Sequence, residues 1–121
     1  EALRVPTEPK YNLVLADSVF QYFNDAAYGQ KVLERMWAKT EKMVVVTEVH
    51  DQEKKDEHMA YRRKCVENYD EVYAGLDKTF YTREMFLQFA EEHGGRCEIV
   101  QPDNELYWNN RFVFDCYLYK E

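Results

Sequence analysis

Two apolar runs in this chain end on side chains of the types that do chemistry. Leu13, Val14, Leu15 and Ala16 stop at Asp17 and Ser18, and Met43, Val44, Val45 and Val46 lead to Glu48, His50 and Asp51. An imidazole titrates nearer neutrality than any other side chain, so His50 is the candidate general base, and Asp51 is placed to orient it or tune its charge. Asp17 and Ser18 can present polar atoms to a ligand or cap the following turn, and both readings stay open. The same holds for His50, which can be a base or a structural histidine.

The elements that must position these residues follow from the pattern around them. Each run is too short for a helix and lacks polar alternation, which predicts strands covered on both faces. Between them Asn24 or Asp25 caps a helix in which Tyr28, Val32, Leu33, Met36 and Trp37 share a face. Gly29 weakens that helix without breaking it, and Thr40 to Lys42 form a short turn into the second strand. Strand, helix, strand implies a right-handed parallel crossover, so both polar exits fall on one sheet edge. Ligands bind there in open α/β sheets. Residues 1–10, with Pro6 and Pro9, lead into the first strand.

Downstream, residues 52–68 are highly charged, with an apolar stripe of only Met59, Cys65 and Val66, which predicts a solvated helix. The region 52–73 can act as a lid, with Tyr61, Tyr69 and Tyr73 either touching a ligand or anchoring the helix. His58 lies in this charged segment, and His93 closes the next helix, where a cation favours the dipole. That helix starts at the Thr82 cap, turns Phe86, Phe89 and Ala90 inward, and ends at Gly94 and Gly95. Residues 96–101 make a third strand, stopped by Pro102. Residues 111–120 make a fourth, with Phe112, Phe114, Cys116 and Leu118 on one face and Val113, Tyr117 and Tyr119 on the other. The link between them is too short for a parallel crossover, so the last pair is antiparallel.

Composition excludes several function classes. The 121 residues carry a formal net charge of −7, which disfavours a phosphate-tracking surface and so nucleic acid as a partner. The 3 cysteines lack metal-ligand spacing and are odd in number, which predicts no metal site and reduced thiols in a cytoplasmic protein. No apolar segment approaches spanning length and no signal peptide opens the chain, so no membrane association is expected. The 7 Phe, 10 Tyr and 2 Trp fill a bulky core or line a pocket.

Taken in order, these motifs resemble the C-terminal half of a class I S-adenosylmethionine-dependent methyltransferase domain, and the resemblance covers nearly the whole chain. YNLVLADSVFQYF is similar to that family's fourth strand and loop, and MVVVTEVHD to its fifth strand. TREMFLQFAEEHGGRCEIV resembles the last helix and sixth strand, and NNRFVFDCYLYK the antiparallel seventh strand inserted beside the fifth. The implied fold class is α/β, a partial Rossmann-like methyltransferase sheet holding family strands 4 to 7. The resemblance implies that Glu1 and Ala2 match the acidic turn beside the adenine, that Asp17 and Ser18 match the motif near the methionine end of the cofactor, and that residues 19–22 face the acceptor. Gln21, Tyr22, Tyr61, Arg62, Tyr107, Trp108, Asn110 and Arg111 are the side chains expected to meet a small-molecule acceptor. Arg62 and Arg111 suit a carboxylate or phosphate, or else form surface ion pairs.

The family's glycine-rich turn and ribose-binding acid have no counterpart, since the glycines stand only at 29, 75, 94 and 95. The expectation is therefore an incomplete S-adenosylmethionine site and an isolated chain that binds the cofactor weakly or not at all. A missing N-terminal half, or a partner chain along the exposed sheet edge, would complete it. The competing expectation is a non-catalytic methyltransferase-like module that forms a homodimer or docks on another chain. A nucleotide-binding half of another doubly wound fold fits the antiparallel last strand less well.

Overall fold

In the computed structural model, which describes residues 1–104 and 106–121, a short turn at Ala2–Arg4 precedes β1 (Tyr11–Asp17). There follow α1 (Ala26–Lys39), β2 (Thr40–His50), α2 (Lys55–Cys65), α3 (Tyr69–Val72), α4 (Arg83–Glu92), β3 (Arg96–Val100) and β4 (Val113–Tyr119). The sheet runs β1-β2-β4-β3. β1 lies parallel to β2, and β4 is antiparallel to both its neighbours. The final strand thus inserts between β2 and β3, which makes the chain a mixed α/β unit with the expected sheet order.

Local signals place the two long helices of the core. Asp25 caps α1 by accepting from the Tyr28 N–H at 2.7 Å, and Thr82 caps α4 by accepting from the Met85 N–H at 3.2 Å. Each cap satisfies an N–H that the helix itself leaves unpaired, worth about 1 kcal/mol. Val32, Leu33 and Met36 of α1 and Phe86, Phe89 and Ala90 of α4 pack on one sheet face, against Val44, Val46, Phe114, Cys116 and Leu118. Burial of such side chains contributes roughly 1.5–3 kcal/mol each and makes this layer the main source of stability.

The structure corrects several expectations. β1 is not covered on both faces: Tyr11, Leu13 and Leu15 are 52%, 47% and 56% exposed. It is an edge strand, and α1 packs only on its Val14 and Ala16 side. Thr40 to Lys42 are not a turn but the start of β2, because the Thr40 hydroxyl lies within donating distance of the Tyr11, Asn12 and Met43 carbonyls, giving its one proton to one of them, and so anchors the strand beside β1. The fourth strand begins at Val113 rather than Arg111, after a 3-10 turn over Asn110–Phe112.

In the charged region the inward side chain of α2 is His58, while Cys65 is exposed. Hydropathy alone misjudged that helix, since imidazole is buried here among aromatic rings. Gly29 is a packing requirement rather than a weakness. A Cβ there would lie 2.5 Å from the Tyr81 hydroxyl, and that hydroxyl donates to the Phe20 carbonyl at 2.8 Å, tying the loop after β1 to the core.

Candidate functional site

The two polar strand exits meet as parallel pairing requires. Asp17 is in register with Thr47, whose hydroxyl donates to Asp17 Oδ1 at 2.5 Å, and the Ser18 N–H donates to the Thr47 carbonyl at 3.2 Å. Each strand carries a left-handed residue near this edge, Ser18 at φ 58° just past the end of β1 and Glu48 at φ 55° within β2. A side chain with a Cβ is uncommon in that region and marks a locally constrained backbone. At Glu48 the cause is visible: the β2–β4 register shifts between Val46 and Val49, and the Glu48 N–H is turned to Asp115 Oδ1 at 2.9 Å. Burial raises the Asp115 carboxyl above its ordinary value. The bulge re-aims Glu48, whose carboxylate accepts from the Tyr107 hydroxyl at 3.3 Å.

His50 and Asp51 lie deeper. His50 is buried, with its ring 4.7 Å from that of His58 and 5.4 Å from that of Phe80. Burial, then the charges of His58, Arg62 and Lys78, lower its pKa to about 3. His58 stacks on Phe112 with centroids 4.6 Å apart, and burial, then Arg62, lower its pKa to about 4. Both rings are therefore neutral near pH 7. The Arg62 Nε–H donates to His58 Nε2 at 3.0 Å, which leaves the proton of neutral His58 on Nδ1. Asp51 does not orient His50. Its Oδ1 accepts from the Glu53 N–H at 3.0 Å and its Oδ2 from Arg83 at 3.2 Å.

Outside this buried pair, aromatic and cationic side chains form a belt along the surface. Tyr61 and Trp108 stack with centroids 5.2 Å apart and planes 14° from parallel. The Arg62 guanidinium lies 5.2 Å from the Trp108 ring and that of Arg111 lies 5.0 Å from the Tyr61 ring. The stacked pair separates a cleft of about 340 Å³, walled by Arg62, Tyr69 and Tyr73, from one of about 430 Å³ walled by Tyr107, Asn110 and Arg111. Tyr73 also borders a third cleft of about 480 Å³ with Tyr22 and Lys78, whose ammonium lies 4.2 Å from the Tyr22 ring.

Of the residues expected to meet an acceptor, the structure gathers Tyr22, Tyr61, Arg62, Tyr107, Trp108, Asn110 and Arg111 on this belt. Gln21 is instead buried, with its Nε2 donating to Ser18 Oγ at 3.0 Å. Sequence reasoning missed Lys78, Asn109 and the buried role of His58. A signal existed for the last: 58, 61, 62 and 65 follow the spacing of one helix face. Among the described residues, Gln21 Oε1 and His50 Nδ1 are buried without a hydrogen-bond partner, and the buried His58 Nδ1 and Asn109 Oδ1 have none but each other. Three of them sit behind the belt.

On the opposite side of the β1 exit, a groove of about 310 Å³ runs between the Ala2–Arg4 turn and β1. Val14, Leu15, Ala16 and Met36 line it, and Ala2 and Asp17 stand at one wall. Arg35 Nε donates to the Leu3 carbonyl at 3.0 Å and holds the turn in place. An apolar floor beside a carboxylate has the chemistry to take a flat heterocycle that donates a hydrogen bond. Ser18 faces Gln21 rather than this groove, and Glu1 is exposed at its margin. Among the described residues no three His, Cys, Asp or Glu side chains are grouped to hold a metal, and no helix is long and apolar enough to cross a membrane.

A parallel first pair with an antiparallel strand inserted beside it is a mixed α/β arrangement of the Rossmann-like kind. A search of solved structures agrees: the chain is similar to magnesium protoporphyrin IX methyltransferase from Synechocystis PCC 6803, crystallised with bound SAH. The TM-score is 0.69 at 6% sequence identity, over 100% of this chain and 49% of that one. The likeness is one of fold, and the chain spans about half the length of that enzyme. No family model matches the sequence, and no curated protein matches it.

Proposed function

We propose that this chain is the C-terminal half of an S-adenosylmethionine-dependent methyltransferase domain and supplies the acceptor side of its site. The observation that supports this most is the sheet order β1-β2-β4-β3, with β1 parallel to β2 and its other edge without a strand among the described residues. In this reading Ala2 and Asp17, with Glu1 and Ser18 at the margins, hold part of the cofactor, and a second half pairs with β1. The cofactor, when bound, supplies an activated methyl group. The chain's own residues align the acceptor and exclude water, which are the main requirements of such a transfer.

Proton removal from the acceptor falls to His50 in this reading only where the completed domain lifts its pKa from about 3 toward neutrality, because so weak a base takes few protons near pH 7. Its Nδ1 is unpartnered, and its burial behind His58 and Phe80 requires the acceptor or a bound water to reach it through the belt. In a complete domain, His50→Gln lowers turnover by about 100-fold or more if it moves a proton, the usual scale of acid–base catalysis. Unchanged turnover assigns it to packing.

Calorimetric titration with S-adenosylhomocysteine tests the main reading. The expected result is no binding by this chain alone and binding once the N-terminal half is supplied. Tight binding by the isolated chain would refute the half-site reading. The outer edge of β1, which pairs with no strand among the described residues, also favours a second reading, a methyltransferase-like module that dimerises or docks on another chain. No cofactor binding in either sample, together with a stable oligomer, would establish it.

A further inference from the structure

We infer that the cleft between α2, α3 and the β3–β4 connection binds a flat aromatic carboxylate. Its walls are the rings of Tyr61, Tyr69, Tyr73 and Trp108, with Val66 between them. A volume of about 340 Å³ matches a small planar molecule rather than a peptide or polymer. Among the described residues, Arg62 is the one cationic wall of this cleft. Its Nε is committed to His58, while neither Nη makes a hydrogen bond or ion pair among the described residues. The guanidinium also lies against Trp108.

This is an arginine fixed at its stem and face with its fork unsatisfied, the geometry that accepts a carboxylate in two parallel hydrogen bonds. His58 can hold the stem only as a neutral acceptor, and its burial keeps it so. The rings then supply stacking area, Arg62 the charge match, and His58 acts as a positioning residue. This inference rests on the methyltransferase reading only for the ligand's role as acceptor; binding itself needs no cofactor.

The probe is 2-naphthoate, with 2-naphthylmethanol as its neutral counterpart, titrated into the full chain without cofactor and followed by calorimetry and tryptophan emission. Naphthoate is expected to bind and to change the emission of Trp108. The alcohol binds about tenfold more weakly, the usual worth of a charge-assisted pair. Arg62→Gln removes the difference between the two probes, and Trp108→Leu removes the emission change. The comparison of the two probes on the unaltered chain does not depend on how any variant folds. Equal affinity for acid and alcohol, or no naphthoate binding at millimolar concentration, overturns the inference. Because cofactor is absent throughout, failure here leaves the methyltransferase reading standing, and failure of that reading leaves this result standing.

Discussion

Two neutral imidazoles with ring centroids 4.7 Å apart in a buried cluster give the molecule an acid limit. The pKa of His50 falls to about 3 and that of His58 to about 4, both from 6.5. Between these values and 6.5 the unfolded chain binds more protons than the folded one, so stability is fully present above pH 6.5 and declines as pH falls. Each ring costs about 1.4 kcal/mol per pH unit within that window. Urea unfolding midpoints measured from pH 7.5 to 4.5 should fall steeply below 6.5, and His50→Phe should flatten the slope; a pH-independent midpoint would contradict the buried neutral pair. Asp51 carries a second residue-level consequence. Its side chain is 2% exposed and pairs with Arg83, so Arg83→Met leaves a buried carboxylate with only the Glu53 N–H. The expected loss is about 3 kcal/mol, read in the same denaturation experiment. At this scale the sequence exposed the polar strand exits and the caps Asp25 and Thr82, because those signals are local. It did not expose the partners of His50 and Asp51. His58 and Arg83 reach them from helices outside the strand, and no local pattern announces such meetings.

Elements whose partners are near in sequence were legible and their contacts across the molecule were not. α1 and α4 declared themselves through caps and apolar spacing. Gly29 looked like a flaw in α1 because the ring that lies on it, Tyr81, is far along the chain. Gly29→Ala would normally strengthen a helix by up to about 1 kcal/mol. Here the added Cβ would lie 2.5 Å from the Tyr81 hydroxyl and 2.6 Å from its ring, so overpacking wins and the substitution is expected to destabilise by about 1–3 kcal/mol. Thermal melts of Gly29→Ala and of Gly29→Ala with Tyr81→Leu check this: the single variant should lie below the original, and it should cost less in the Leu background. Equal costs in both backgrounds would mean that the ring is not what the methyl meets. The same distance in sequence explains α2. Its apolar stripe reads as Met59, Cys65 and Val66 only until Phe80 and Phe112 arrive from other elements to enclose His58.

At the scale of the whole molecule, the sequence and the folded chain disagree most usefully at β1. An unbroken Leu-Val-Leu-Ala run is the composition of a strand covered on both faces, yet Leu13 and Leu15 remain about half exposed beside an unpaired edge. Under the proposed reading these side chains are the surface that a second half or a partner chain covers. Because these side chains are not in the packed layer under α1 and α4, Leu13→Lys with Leu15→Lys should leave the isolated chain folded, with a stability change near 0.5 kcal/mol. The same pair should abolish association, since two ammonium groups on a buried face cost far more than they do in water. Sedimentation of the variant, alone and mixed with an N-terminal methyltransferase half, separates the two readings of the chain. Loss of a homodimer that the original forms identifies the interaction module, and loss of the reconstituted complex identifies the split domain. Association that survives both lysines places the contact elsewhere and removes β1 as the completing edge.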